Sequence, residues 1–282
     1  MIGVSPGVGL GGRVASLTPS LTPGVRFGAA VAGILFAAAA AAADVRVMIS
    51  AGFFHAYSEL VPGFERATGH RVVTTRGPSM GDSPEAIPTR LARGETADVV
   101  ILDGAAADAL AKAQLAQGDS KVELARSLVG MVVRAGAPKP DIGSVDAFKR
   151  ALLDAKSIAY SDSGSGTYLS TKLFAQLGVA DAVAAKSRKV RGPPSGEPVA
   201  AVVARGDVEI GFQQVSELIN VPGTDFVGPI PASLQPGFTF AGMLTKTPAE
   251  ADAARALLRY RASAEAAPVI TKAGLAPAAR TP

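Results

Sequence analysis

The sequence contains no cysteine and no tryptophan, and its 282 residues include only two histidines, His55 and His70. Without cysteine there is no disulfide, no thiolate metal site and no sulfur nucleophile. Two histidines cannot build the usual transition-metal clusters, so neither a metal nor another cofactor is expected. A dominant charge is also missing, because 28 basic residues face 24 acidic ones. Arg13 and Arg26 precede the first acid, Asp44, and removing them leaves 26 basic against 24 acidic residues. The two signs alternate and form no basic stripe, which argues against nucleic acid as a partner. Aromatic residues make up only 5% and alanine is abundant, so thin helices are expected. With 48% apolar and 18% charged residues, the composition is that of a folded globular chain.

What is present begins with an N-terminal apolar run. Residues 27–43 read FGAAVAGILFAAAAAAA directly after Arg26. A positive residue, a short apolar core and a small-residue end describe a secretory signal peptide, and not a lasting bilayer span. Cleavage after Ala43 would place Asp44 at the mature N-terminus, with no membrane span left and the periplasm as the destination. Residues 1–24 form a long Gly/Pro/Ser/Thr-rich lead-in, which makes Val25 an alternative initiation site.

From Asp44 onward, short β-branched runs alternate with Ala/Leu-rich stretches. Strands are expected at 45–50, 70–75 and 97–102, with helices at 53–67, 84–93 and 104–116. A strand over 126–134 opens a second group. It contains helices at 144–154, 167–178 and 198–205, with strands at 156–161, 187–191 and 208–212. A strand at 238–244 and one long helix at 248–267 follow. This order predicts an α/β fold with mostly parallel sheets. It divides into a signal peptide (1–43), a first lobe (44–127), a second lobe (128–240) and a return to the first lobe (241–282). A cleft between two such lobes, at the carboxyl ends of their strands, is where a small solute would bind.

Four small polar turns lie at strand-to-helix junctions: Ser50-Ala51-Gly52, Arg76 to Gly81, Ser161 to Thr167, and Pro194 to Val199. Helix N-termini expose unpaired N–H groups, and serine hydroxyls add donors with little bulk, so such turns suit an anion. Taken singly, each serine would serve as an N-cap. Arg76 offers a bidentate contact to a carboxylate. His55 is expected to be structural, Asp103 stands at a strand end where it could line the cleft, and Tyr160 and Tyr168 are expected to pack. No P-loop and no G-x-S-x-G nucleophile turn is present.

The stretches VRVMISAGFFHAYSELVPGFERATGHRV, GPSMG, ADVVIL and GEPVAAVVARGDVEIGFQQVSEL resemble the molybdate-binding periplasmic proteins of ABC transporters, in an order that covers residues 45–275. The resemblance implies a two-lobed type II periplasmic-binding-protein fold with a hinged interlobe cleft. It also implies a monomer that delivers its ligand to an ABC permease and ATPase. Ser50 with Ala51, and Ser79, match the donors of the first lobe. Ser163, Gly164 and Val199 fall where the second lobe offers backbone N–H groups. Gln214 stands where the family carries a tyrosine, and Arg76 adds a charge to a turn that is neutral in the family. Arginine with the Gln213 and Gln214 amides suits an organic carboxylate at least as well as molybdate. The expected function is capture of a small anion for transport. The alternatives are isomerisation of a tricarboxylate such as aconitate, with His55 or Asp103 as the base, and ligand presentation to a sensor protein.

Overall fold

The computed structural model describes residues 42–219 and 221–278. The expected leader lies outside the described residues except for its last two positions. The strands are β1 (Asp44–Ile49), β2 (Arg71–Arg76), β3 (Val99–Asp103), β4 (Val122–Ser127), β5 (Val129–Arg134) and β6 (Ile158–Ser161). They continue with β7 (Ser187–Val190), β8 (Ile210–Gln214), β9 (Thr224–Pro229), β10 (Phe238–Leu244) and β11 (Ala276–Pro277). These form two sheets, ordered β11-β4-β10-β3-β1-β2 and β7-β6-β8-β5-β9. The chain crosses between them at Leu128, passing from β4 to β5, and again between β9 and β10.

Strand alternation explains why each sheet is covered on both faces. In the first sheet Val45, Val47 and Ile49 point to one core with α1 (Ala51–Thr68), while Met48 points to the other. Val99 and Ile101 likewise oppose Val100 and Leu102, the latter pair packing with α2 (Ile87–Ala92) and α3 (Gly104–Lys112). In the second sheet Val129, Met131 and Val133 pack with α4 (Val145–Asp154), whereas Val132 faces the opposite core.

Three expectations need correction. Residues 126–134 are not one strand, because the chain changes sheet at Leu128. The sheets are mixed and not mostly parallel: β1 pairs parallel with β2 and β3, and β6 with β7 and β8, but β4, β5, β9, β10 and β11 pair antiparallel. The long helix at 248–267 is not continuous: one helix covers Ala251–Arg261 and a new one begins at Ala267, with Pro268 in its first turn. Proline lacks the N–H that a helix interior needs but fits a first turn.

The remaining helices position the site. One helical stretch runs through α5 (Gly164–Tyr168), a π-turn and α6 (Phe174–Gln176) directly after β6. It is followed by α7 (Ala180–Ala184) and α8 (Val199–Ala204). The chain ends on α9 (Ala251–Arg261) and α10 (Ala267–Lys272), both packed on the first sheet. Among the described residues no helix is long and apolar enough to cross a membrane.

Candidate functional site: an interlobe cleft

The strand ends that precede α1, α3 and α5 converge on one cavity of about 40 Å³ between the two sheets. It is lined from the first sheet by Ser50, Ala51, Ser79 and Asp103, and from the second by Ser163, Gly164, Gln213, Gln214 and Glu217. No lysine or arginine is among its described lining residues.

The serines are not spent as helix caps. Ser50 precedes α1 and Ser163 precedes α5, yet neither hydroxyl makes a capping hydrogen bond. Ser50 Oγ is buried and has no partner among the described residues. Ser79 Oγ accepts the Asp103 N–H at 3.1 Å, which leaves its own O–H to donate. Ser161 Oγ lies 2.8 Å from Ser163 Oγ and 3.1 Å from Ser165 Oγ, so three hydroxyls cluster at the start of α5. Gly166 permits that crowding, because a Cβ there would land on the Ser161 carbonyl.

Three carboxyls, those of Asp103, Asp162 and Glu217, face the same space, and the first and last sit in unequal surroundings. Asp103 caps α3, with Oδ1 accepting the N–H groups of Ala105 at 3.0 Å and Ala106 at 3.4 Å. Its Oδ2 is buried without a partner. Burial pushes its pKa up, opposed by those two amides and by Lys121. Glu217 sits in the turn after β8, and Gln213 Nε2 donates to its Oε2. Burial pushes Glu217 up to about 7, with Gln213 and Arg76 pulling down and Asp162 pushing up.

Several expected residues lie elsewhere. Arg76 ends β2 instead of sitting in a turn, and its guanidinium lies 4.1 Å from the Phe54 ring centroid, on a groove outside the cleft. Val199 offers no free N–H, because Gln213 Oε1 accepts it at 3.2 Å. His55 is half-buried, lies 3.3 Å from Glu59 and is not among the residues that line the cleft, so it is no base there. Tyr160 packs on Phe174, and Tyr168 donates to the Leu234 carbonyl. Gln214 does line the cleft, with its Oε1 buried and unpartnered. Glu217 was missed by the sequence reading; the only available signal was its place four residues after Gln213 in the QQVSE segment. Among the described residues no cluster of His, Asp or Glu is arranged to hold a metal.

The arrangement can bind an anion through neutral donors and can exchange a proton with it. The chain is similar to known proteins over most of its length. Over 236 residues the chain is 47% identical to an aconitate isomerase from a Pseudomonas species, covering 84% of this chain and 88% of that protein. It is 30% identical over 257 residues to a molybdate-binding protein of Azotobacter vinelandii, covering 85% and 92%. The fold matches the solved periplasmic molybdate-binding protein of that organism with a TM-score of 0.66 at 21% identity, over 84% of this chain and all of the other. The two-lobed architecture is thus that of type II periplasmic binding proteins. A family model matches residues 45–276, and the chain belongs to the bacterial extracellular solute-binding proteins.

Proposed function

We propose that this protein captures a small organic anion of the polycarboxylate class in the bacterial periplasm, and that the N-terminal segment directs its export. The observation that carries the reading is the set of uncommitted donors facing one cleft: Ser50 Oγ without a partner, and Ser79 with its proton free. Neutral donors hold an anion without a permanent positive charge, and the desolvated cleft strengthens each contact. Cleft closure around the ligand gives the closed form a surface that an ABC permease and its ATPase can read. The free space of about 40 Å³ means that a tricarboxylate must part the walls, which a hinge permits.

A second reading, isomerisation of a bound tricarboxylate, is favoured by Glu217. A proton shift along a carbon chain needs a base close to neutral in pKa, and burial brings Glu217 to about 7. The 47% identity to an aconitate isomerase supports the same ligand class.

A thermal-shift screen with molybdate, tungstate, sulfate, citrate, tricarballylate and both aconitate isomers tests the ligand. A ligand at 100 times its Kd adds about 2.7 kcal/mol of stability. Stabilisation by the tricarboxylates is expected; stabilisation by molybdate and tungstate alone would overturn the carboxylate assignment. Interconversion of cis- and trans-aconitate, followed by absorbance, then separates an isomerase from a carrier.

A further inference from the structure

Three carboxyl groups, those of Asp103, Asp162 and Glu217, line a cleft that we read as an anion site. Asp162 is partly committed, since its Oδ1 accepts the Gly192 N–H at 3.1 Å. Glu217 holds a donor from Gln213 on Oε2. Asp103 differs from both: the residue is only 4% exposed, and its Oδ2 has no partner among the described residues. That oxygen points away from α3 toward the start of α5 in the other lobe, 3.8 Å from where a Cβ on Gly164 would stand.

The groups around Asp103 can be named from each side. On α3 the N–H groups of Ala105 and Ala106 are used by Oδ1. Lys121, beside β4, acts on Asp103 only at a distance, because its Nζ is held by Asp108 at 2.5 Å and by the Gly104 carbonyl at 3.3 Å. Asp108 opposes Lys121. On the facing side, Gly164 of α5 has Met80 and Phe238 beside it, and none of the three offers a cation. An ionised Oδ2 in this setting would meet an incoming anion as an uncompensated like charge in a desolvated site.

We infer that Asp103 enters the ligand complex as a neutral carboxylic acid whose Oδ2–H donates to the bound anion, so that capture takes up a proton at this residue. The inference rests on the anion reading and holds for carrier and isomerase alike. The geometry favours a donor at Oδ2: the other polar side chains that line the cleft from the first sheet, Ser50 and Ser79, each keep a hydroxyl proton to donate, and an ionised Oδ2 would interrupt that set. Burial, which already favours the neutral form, makes protonation the less costly way to complete it. The bound anion then raises the proton affinity further. By linkage, affinity falls as pH rises through the range in which the free protein's Asp103 ionises.

The test uses cis-aconitate and molybdate as probes, with calorimetry in two buffers of different ionisation enthalpy to count protons taken up. Glu217 also titrates near neutrality, so the comparison is between Glu217→Gln and the double variant Glu217→Gln/Asp103→Asn. Asparagine keeps the Oδ1 that caps α3 and puts a permanent N–H donor at the position of Oδ2. At pH 7 the expected result is about one proton more per ligand for the single variant than for the double. The double variant should keep affinity within about fivefold, with a flatter pH dependence. Equal proton counts would overturn the inference. So would a hundredfold loss of affinity on adding Asp103→Asn, because Oδ2 would then be an acceptor. Should neither probe bind the wild type, the anion reading itself fails and the inference with it. That outcome is distinct from binding without proton uptake. Unfolding curves of the same two variants with and without each probe, recorded from pH 5 to 9, give that linkage by a second readout.

Discussion

Asp103 and Gly164 face each other from different sheets: Oδ2 of the first lies 3.8 Å from the position that a Cβ on the second would occupy. The same added carbon would stand 3.5 Å from Met80 and 3.6 Å from Phe238, which are ordinary van der Waals contacts. Gly164→Ala should therefore fold, with a melting temperature within about 2 °C of wild type, since alanine is also the better helix residue. Its methyl would nevertheless occupy a cleft with only about 40 Å³ free. We expect the ligand-induced thermal shift to shrink by at least half, and an unchanged shift would mean that the ligand does not enter between these two residues.

Glu217 should impose a pH dependence on the stability of the ligand-free protein. Its pKa rises from an ordinary 4.5 to about 7 in the folded state, where Gln213, Arg76 and Asp162 are its neighbours. Between those values the unfolded chain ionises at this position while the folded chain keeps its proton. Stability at this residue is therefore complete below about pH 4.5, falls as pH rises toward 7, and stays low above it. Glu217→Gln should remove that fall and stabilise the protein at pH 8 by roughly 1–3 kcal/mol. Arg76 pulls the Glu217 pKa down from outside the cleft, so Arg76→Gln should move the end of the fall to higher pH. Denaturant titrations at pH 4 to 9 check both signs.

Arg261 is the largest fully buried side chain, with Nε and Nη2 unpartnered among the described residues. Its Nη1 donates to the Tyr57 carbonyl at 2.9 Å, and its guanidinium lies 4.6 Å from the Tyr57 ring centroid. Burial pushes its pKa down to about 10 and that of Tyr57 up to about 12. A buried charge with so little compensation is costly, so Arg261→Met should be neutral or stabilising by up to about 2 kcal/mol. Arg261→Ala should cost roughly 2–4 kcal/mol through the cavity it leaves. Equilibrium unfolding in urea measures both; a loss above about 2 kcal/mol in the methionine variant would contradict this account.

Much of this protein is legible in its sequence because the relevant physics is local. Alternation of β-branched and Ala/Leu-rich runs fixes strands and helices, and polar Gly/Ser junctions mark where strands hand over to helices. Those junctions, Ser50, Ser79 and Ser163, do meet in one cleft. The motif order in residues 45–276 fixes the family.

Tertiary structure alone decided where the remaining side chains go. The apolar run across residues 126–134 is continuous in sequence, and only long-range pairing sends β4 to one sheet and β5 to the other. Arg76 looks like a turn residue in sequence, but it pairs opposite Ile49 at the end of β2, which carries its side chain onto Phe54 and out of the cleft. Val199 starts a helix as expected, yet its N–H is taken by Gln213, a partner 14 residues away. Glu217 carries no signal of its own in the sequence, and only the turn after β8 brings it to the cleft, where loss of water changes its proton affinity. Periodicity sets which residues form an element, whereas register, sheet assignment and desolvation depend on contacts between residues distant in sequence.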